Sequence, residues 1–337
     1  MANKKVLNIG ILGAASIAQR SILPALASLS DQFQIAGVGS RSRGTAQPIA
    51  AQYECKAFGS YDALLQEEAI DAVYIPLPNG LHYEWVMNAL HAGKHVLCEK
   101  SLGCTQREVA EMIDVARERN LALIENFQFR FHRQLRALQR LVGLEGGVKS
   151  SIGDIRTIRC SFGFPPFPDQ DNIRYQKKLG GGALLDAGAY TIKVATLLLG
   201  TNVKVSTASL IAEDTFGVDI HGSGCLINPD TGITAHIAFG FDHYYQCGVE
   251  IWGAKGRLRT NRLFTARADM NPVFEIETAD NGLEKHSIAK DDHFVNMLRH
   301  FHELCAIDQG PKRAEECAQN RIQAELLDSF RQKANYR

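Results

Sequence analysis

The chain has 337 residues, 45% hydrophobic and 22% charged, with 37 lysines and arginines against 37 aspartates and glutamates. This length predicts two domains with a large core, and the zero formal net charge argues against a broad nucleic-acid or anionic-membrane surface while allowing a local basic pocket. No apolar run approaches the roughly 18 residues of a membrane span, the cysteines form no Cys-x-x-Cys pair, and the Met-Ala-Asn-Lys-Lys start has no signal-peptide cleavage pattern, so a cytoplasmic location is expected.

Residues 6–12 are apolar and β-branched, which predicts a strand buried on both faces. Gly13-Ala-Ala-Ser-Ile-Ala18 follows, and residues 17–29 have helical apolar spacing. Strand, small-residue turn and helix form the context of a dinucleotide fingerprint, here written G-x-A-x-x-A. Gly13, Ala15, Ser16 and Ile17 let the backbone approach a pyrophosphate, and a helix N-terminus supplies unpaired N–H donors. Pro24 inside the helical stretch predicts a kink or a helix that restarts there.

The second strand, residues 33–39, ends in Ser40-Arg41-Ser42-Arg43. An NAD site usually carries a carboxylate at this place for the ribose 2′-hydroxyl. Ser40, Arg41 and Arg43 instead suit a 2′-phosphate, which favours NADP over NAD. After further strands and helices, residues 71–80 read as a strand followed by a proline-stiffened loop. Pro76 and Leu77 are expected beside the nicotinamide, and Asn79 is expected to cap the helix that carries His82. His82 is grouped with the cofactor residues, although a structural hydrogen-bonding role is the better expectation for it alone.

Residues 95–98 form a short apolar strand ending abruptly in Glu99-Lys100, at the edge where open parallel sheets bind ligands. A helix from Thr105 to Asn120 and a strand from Leu121 to Glu125 follow. Alternation of strands and helices through this region predicts an α/β doubly wound parallel sheet over residues 1–126, with Glu99, Lys100 and Asn126 added to the cofactor set.

Beyond residue 126 the pattern changes. A basic helix is expected at residues 130–141 and a strand at 155–162, then a proline-rich loop containing Arg174 and Tyr175. Gly180-Gly-Gly-Ala-Leu-Leu-Asp-Ala-Gly-Ala-Tyr190 opens a helix to Leu199. Asp186 and Tyr190 stand four apart and share a face, and Gly188 between them is expected to admit a backbone or a cofactor. Strand-like segments at 203–211, 219–227, 233–241 and 246–252, with no helices between them, predict a mainly antiparallel sheet. Amphipathic helices at 292–305 and 314–331 close the chain, so residues 127–337 read as one α+β domain for substrate binding and oligomerisation. His302 and Cys305 have metal-like spacing but read as structural, and no metal is expected.

With Glu99-Lys100 and Asp186-x-Gly188-x-Tyr190 together, the chain resembles the Gfo/Idh/MocA oxidoreductases over essentially its whole length. Ile124-Glu-Asn-Phe-Gln-Phe and the Pro165-Pro-Phe-Pro…Asn-Ile-Arg-Tyr-Gln176 loop are most similar to nucleotide-sugar 3-ketoreductases of deoxysugar biosynthesis. The resemblance implies an N-terminal Rossmann domain and a C-terminal open sheet that forms a dimer or tetramer. It also implies NADPH-dependent reduction of a ketone, at C3, on a nucleoside-diphosphate keto-deoxyhexose. Lys100 and Tyr190 would deliver the proton and Asp186 would orient the sugar or the lysine. Gln128, Arg130, Arg174, Tyr175 and Tyr244 join Lys100, Asp186 and Tyr190 as candidate substrate contacts, the bland alternative for Arg130 being a solvated helix face. NADP-dependent oxidation of a free, xylose-like sugar or a trans-dihydrodiol is the alternative activity, and a noncatalytic dinucleotide-binding regulator is the alternative class. The resemblance departs at one point: the family's Glu-Lys-Pro is Glu99-Lys100-Ser101 here.

Overall fold

A computed structural model of the chain describes residues 6–213, 215–306 and 310–336; the five N-terminal residues, read above for a signal-peptide pattern, lie outside them. In chain order the first elements are β1 (Leu7–Leu12), α1 (Leu23–Ala27), β2 (Phe33–Gly39), α2 (Arg43–Gln52), β3 (Lys56–Phe58) and α3 (Tyr61–Leu65). Then come β4 (Ala72–Ile75), α4 (Asn79–His91), β5 (His95–Glu99), α5 (Gln106–Glu118) and β6 (Leu123–Asn126). The strands pair in parallel in the order β3-β2-β1-β4-β5-β6, the doubly wound arrangement the alternation predicts. Strands covered on both faces need apolar side chains throughout, and Ile9, Ile11, Leu12, Val73, Ile75, Val96 and Leu97 are all fully buried.

Local sequence explains where the helices begin. Pro24 occupies an early position of α1, after a π turn over Ala18–Ile22, so the helix does restart at the proline, where its missing N–H is not needed. Thr105 and Glu108 form a reciprocal capping box at the start of α5, worth about 1 kcal/mol.

The second stretch contains α6 (Arg133–Leu141), β7 (Ile155–Gly163), α7 (Ala189–Leu199), β8 (Lys204–Glu213), β9 (Val218–Ile227), β10 (Thr234–Gly240) and β11 (Gln246–Gly253). It continues through β12 (Gly256–Thr260), β13 (Val273–Thr278) and β14 (Gly282–Ser287), and the chain ends in α8 (His293–Ala306), α9 (Gly310–Lys333) and β15 (Ala334–Tyr336). The sheet runs β14-β13-β12-β11-β7-β10-β9-β8-β15 and is mostly antiparallel, with β7–β10 and β15–β8 parallel. Strands β12, β13, β14 and β15 lie outside the segments that alternation picks out. In β14 nearly every residue is exposed, so no apolar face marks it in the sequence.

Two compact units result: Met1–Phe127 with Phe294–Ala324, and Gln128–His293 with Glu325–Arg337. The first therefore takes up C-terminal residues that a linear division leaves in the second domain. Cys317 and Ala324 of α9 enter the same apolar core as Val73, Val96 and Leu123, and the Asn320 side chain donates to the Leu123 carbonyl at 3.2 Å. His302 is buried edge-on to Phe33 at 5.4 Å, a structural role as expected. The stretch Lys177–Leu199 is apolar enough on average to pass a length test for a membrane span, but 83% of its most apolar window is buried, the character of a core helix.

Candidate active site

In the first unit the candidate residues gather at the C-terminal edge of the parallel sheet, around the β1/β4 switch point. Gly13 leaves β1 at φ +127°, and a Cβ there would stand 3.0 Å from the Leu77 side chain, so only glycine fits both the turn and its neighbour. Its N–H donates to the Gly39 carbonyl at 2.9 Å, and Ala15 accepts from the Ala18 N–H at 3.0 Å. Ser16 and Ile17 complete the turn into the π segment. This small-residue cradle fits a pyrophosphate. At the end of β2, Ser40 is buried with its N–H on the Phe58 carbonyl, whereas Arg41, Ser42 and Arg43 are exposed. Ser42 caps α2 through the Thr45 N–H, so two guanidinium side chains flank a helix N-terminus. That donor set suits a phosphate and offers no carboxylate to a ribose diol.

Glu99 and Lys100 end β5. The Glu99 carboxylate takes hydrogen bonds from the Tyr74 hydroxyl and the Asn126 side-chain amide, both at 2.7 Å. Burial raises its pKa while these two donors and the charge of Lys100 hold it down. Lys100 is half-buried at the strand end. The following peptide, Lys100–Ser101, is cis.

The loop that lacks the family proline is held from two sides. The Leu102 N–H donates to buried Glu125 at 2.9 Å, and the Ser101 carbonyl meets His82 Nδ1 at 2.6 Å. The other ring nitrogen of His82 meets the Leu77 carbonyl at 2.7 Å, so this histidine ties the loop after β4 to the loop after β5. It is fully buried with a main-chain carbonyl against each nitrogen, the structural role expected of it, and in its neutral form the ring donates to one of the two. Desolvation lowers its pKa to about 4, against the opposite pull of the two carbonyls. Asn79 is the first residue of α4 rather than its cap, because Pro78 takes the cap position in extended conformation.

In the second unit the candidates cluster at the end of the sheet where β7 and β10 finish in parallel. Tyr190 is 8% exposed and its ring packs among Phe129, Phe162 and Phe264, with centroids 5.1–5.8 Å apart. Its hydroxyl lies 3.3 Å from the Gln128 side-chain nitrogen and 3.4 Å from its oxygen. One turn earlier, Asp186 pairs with Arg174 at 2.5 Å, and the carboxylate raises the guanidinium pKa beyond its ordinary value. Arg174 also lies 4.8 Å over the Phe167 ring. The pair fixes the proline-rich loop to the helix that carries Tyr190.

Three expectations change here. Gly188 admits no ligand: a Cβ would stand 3.1 Å from the Phe239 ring, so its role is helix-to-sheet packing. Tyr175 is 7% exposed, stacked on Phe216 at 4.3 Å, and its hydroxyl accepts from the Phe167 N–H at 3.0 Å. It shapes the loop from inside. Arg130 begins no long helix: it sits in a short 3₁₀ turn, Gln128–Phe131, over the Phe131 ring at 5.2 Å, and α6 starts afresh after His132. Tyr244 stands 87% exposed on the loop after β10.

Sequence reasoning missed Tyr74, which donates to Glu99, and Asp219, which accepts the Leu184 N–H at the start of the helix that carries Tyr190. The first is a polar tip inside an otherwise apolar strand, a signal that could have been read. The second has no local signal at all.

A family model described as "Oxidoreductase family, NAD-binding Rossmann fold" (GFO_IDH_MocA) matches residues 7–127, and a GFO/IDH/MocA C-terminal domain model matches residues 148–259. The chain is 40% identical over 337 residues, covering 98% of itself and 96% of the relative, to a dTDP-3,4-didehydro-2,6-dideoxy-α-D-glucose 3-reductase of Streptomyces violaceoruber. A 3-ketoreductase from Actinomadura kijaniata, solved with NADP and TDP-benzene, superposes with a TM-score of 0.93 at 36% identity, over 98% of this chain and 99% of that one. An NADP(+) D-xylose 1-dehydrogenase of Haloferax volcanii is 35% identical over 81% of both chains.

Proposed function

The chain belongs to the Gfo/Idh/MocA oxidoreductase family, and from that premise we propose that it reduces the C3 ketone of a dTDP-linked keto-deoxyhexose with NADPH. Bound at the Gly13 turn and the Ser40–Arg43 segment, NADPH supplies the hydride. The chain's own residues supply the rest. The Tyr190 hydroxyl gives its proton to the alkoxide oxygen as negative charge develops there, and is reprotonated from solvent. Lys100, at its strand end, is the alternative proton donor or a source of electrostatic stabilisation for the developing charge. Asp186, with its charge shared with Arg174, orients the sugar, and Gln128 sets the direction of the tyrosine O–H.

Tyr190 carries this proposal: a buried phenol hydroxyl beside an amide, one helical turn from a paired carboxylate, is a proton donor aimed at a polar substrate. Arg41 and Arg43 support NADPH over NADH. The strands β8 to β10 present a face of small and polar side chains, Thr207, Ser209, Ser223, Cys225 and His236, around a shallow concavity. We propose that this sheet pairs copies of the chain into a homodimer or homotetramer, and that the enzyme works in the cytoplasm, where NADPH and nucleotide sugars are made.

The test is NADPH consumption with freshly generated dTDP-3-keto sugar, with D-xylose and trans-dihydrodiols plus NADP as oxidation controls. Turnover of the keto sugar is expected. Turnover of the controls alone would replace the proposal with sugar or diol oxidation.

A further inference from the structure

The helix that carries Asp186 and Tyr190 begins without a cap of its own. Its first residues follow Gly180-Gly181-Gly182, and the N-cap residue Ala183 has no side chain able to accept a hydrogen bond. Unpaired N–H groups at a partly buried helix start are costly, and a serine, threonine, asparagine or aspartate normally meets them from within the same segment. Here the acceptor comes from elsewhere. Asp219, on β9 and 35 residues away in sequence, takes the Leu184 N–H at 2.6 Å.

The approach is close enough to determine the residue opposite. Gly182 has φ +115°, and a Cβ there would lie 2.4 Å from Asp219 Oδ1. The glycine run thus makes room for a carboxylate. Asp219 is held in turn by the β8–β9 ladder, opposite Ala212, and by the charge of Arg331.

We infer that Asp219 is a positioning residue, which caps the Asp186–Tyr190 helix from the neighbouring strand and thereby sets where the Tyr190 hydroxyl and the Asp186 carboxylate stand. Asp219 meets the helix at the Leu184 N–H, two residues before Asp186 and six before Tyr190, so its effect runs through the helix. The inference rests on Tyr190 being the proton donor proposed above. Loss of the cap lets the first turn shift, and a displacement of about 1 Å at a reacting group costs on the order of 10²-fold in rate.

The experiment compares Asp219→Ala, Asp219→Asn and Gly182→Ala with the wild type, in the full chain. Two measurements are made: hydrogen exchange of peptides covering 183–190, and kcat and KM for the dTDP-keto sugar, with rates normalised to NADPH-binding sites. Asp219→Ala should lose protection at 183–190 and drop kcat by about 10²-fold, with NADPH affinity within about twofold of wild type. Asp219→Asn keeps an acceptor oxygen for the Leu184 N–H and should recover most of the rate. Gly182→Ala, which pushes the carboxylate away, should resemble Asp219→Ala. A normalised kcat of wild-type size in Asp219→Ala, or an Asn variant no better than the Ala variant, would overturn the inference. Should Asp219→Ala fail to fold, the Asn and Gly182 variants decide it on the same two readouts. Failure of the wild type to turn over the keto sugar would instead count against the proposed function, while hydrogen exchange at 183–190 still accepts or rejects the cap.

Discussion

Lys100 and Tyr190 are placed by different means. In the first unit Lys100 follows a buried parallel strand, and its loop is fixed largely by main-chain bonds, Ser101 O to His82 and Leu102 N–H to Glu125, with Glu99 held by Tyr74 and Asn126. In the second, Tyr190 and Asp186 depend on side chains from separate segments: Gln128 before α6, Arg174 in the proline loop and Asp219 on β9. A strand end in an α/β sheet is a rigid, repeatable position that tolerates changes in its surroundings. An assembly of side chains can be retuned for a new substrate by one substitution at a time. The first arrangement suits a cofactor common to many enzymes, the second a substrate peculiar to one.

The sharpest test removes both acting groups. A Lys100→Ala, Tyr190→Phe double variant should lower kcat by about 10³–10⁴-fold, with NADPH binding preserved; native turnover would break the assignment. The single variants then sharpen it, since the larger loss identifies the proton donor.

Next in size is the clamp inside the first unit. Burial depresses the His82 pKa from 6.5 to about 4, so the folded ring is neutral while the unfolded ring takes up a proton below pH 6.5. The contribution of His82 to stability is complete above 6.5 and is lost as pH falls toward 4, by up to roughly 3 kcal/mol. Urea unfolding between pH 7.5 and 4.5, followed by hydrogen exchange in 77–102, measures it. A His82→Gln variant should lose that part of the slope; an unchanged slope would show that folding does not shift the ring's pKa, and a change of opposite sign above pH 6.5 would show a charged ring donating to both carbonyls.

Cofactor choice is a smaller effect. Arg41→Ala with Arg43→Ala should raise the KM for NADPH by roughly 10- to 100-fold, the 1.5–3 kcal/mol of hydrogen bonds to a charged group, and leave the KM for NADH unaltered. Equal losses with both nucleotides would remove the 2′-phosphate assignment. The smallest effect is expected at Tyr244, exposed on its loop: Tyr244→Ala should change kcat/KM by no more than about twofold, as for most surface substitutions. A larger loss would place that loop against the substrate.

Much of the first unit was legible in the sequence, because its signals are local. The Gly13 turn, the Ser40–Arg43 segment and the Glu99-Lys100 strand end each stand within a few residues of a buried strand, so periodicity locates them. In the second unit only the Asp186–Tyr190 face had such a local signal, through the spacing of four along a helix. The same spacing misled at Gly188, because a missing side chain looks alike whether it admits a ligand or the Phe239 ring. Tyr175 misled similarly: composition marks an aromatic in a proline loop, but not that Phe216 covers it.

The chain by itself therefore determined the parallel sheet, the strand ends that carry the proposed cofactor residues and the helical pair Asp186 and Tyr190. The tertiary structure alone decided that His82 is a clamp, that Arg174 is the partner of Asp186 and that Asp219 caps a helix 35 residues before it. The physical reason is the range of the interactions. Backbone propensity and apolar periodicity act between near neighbours, whereas a buried hydrogen-bonding group takes whichever partner the folded chain brings within about 3 Å, at any sequence separation.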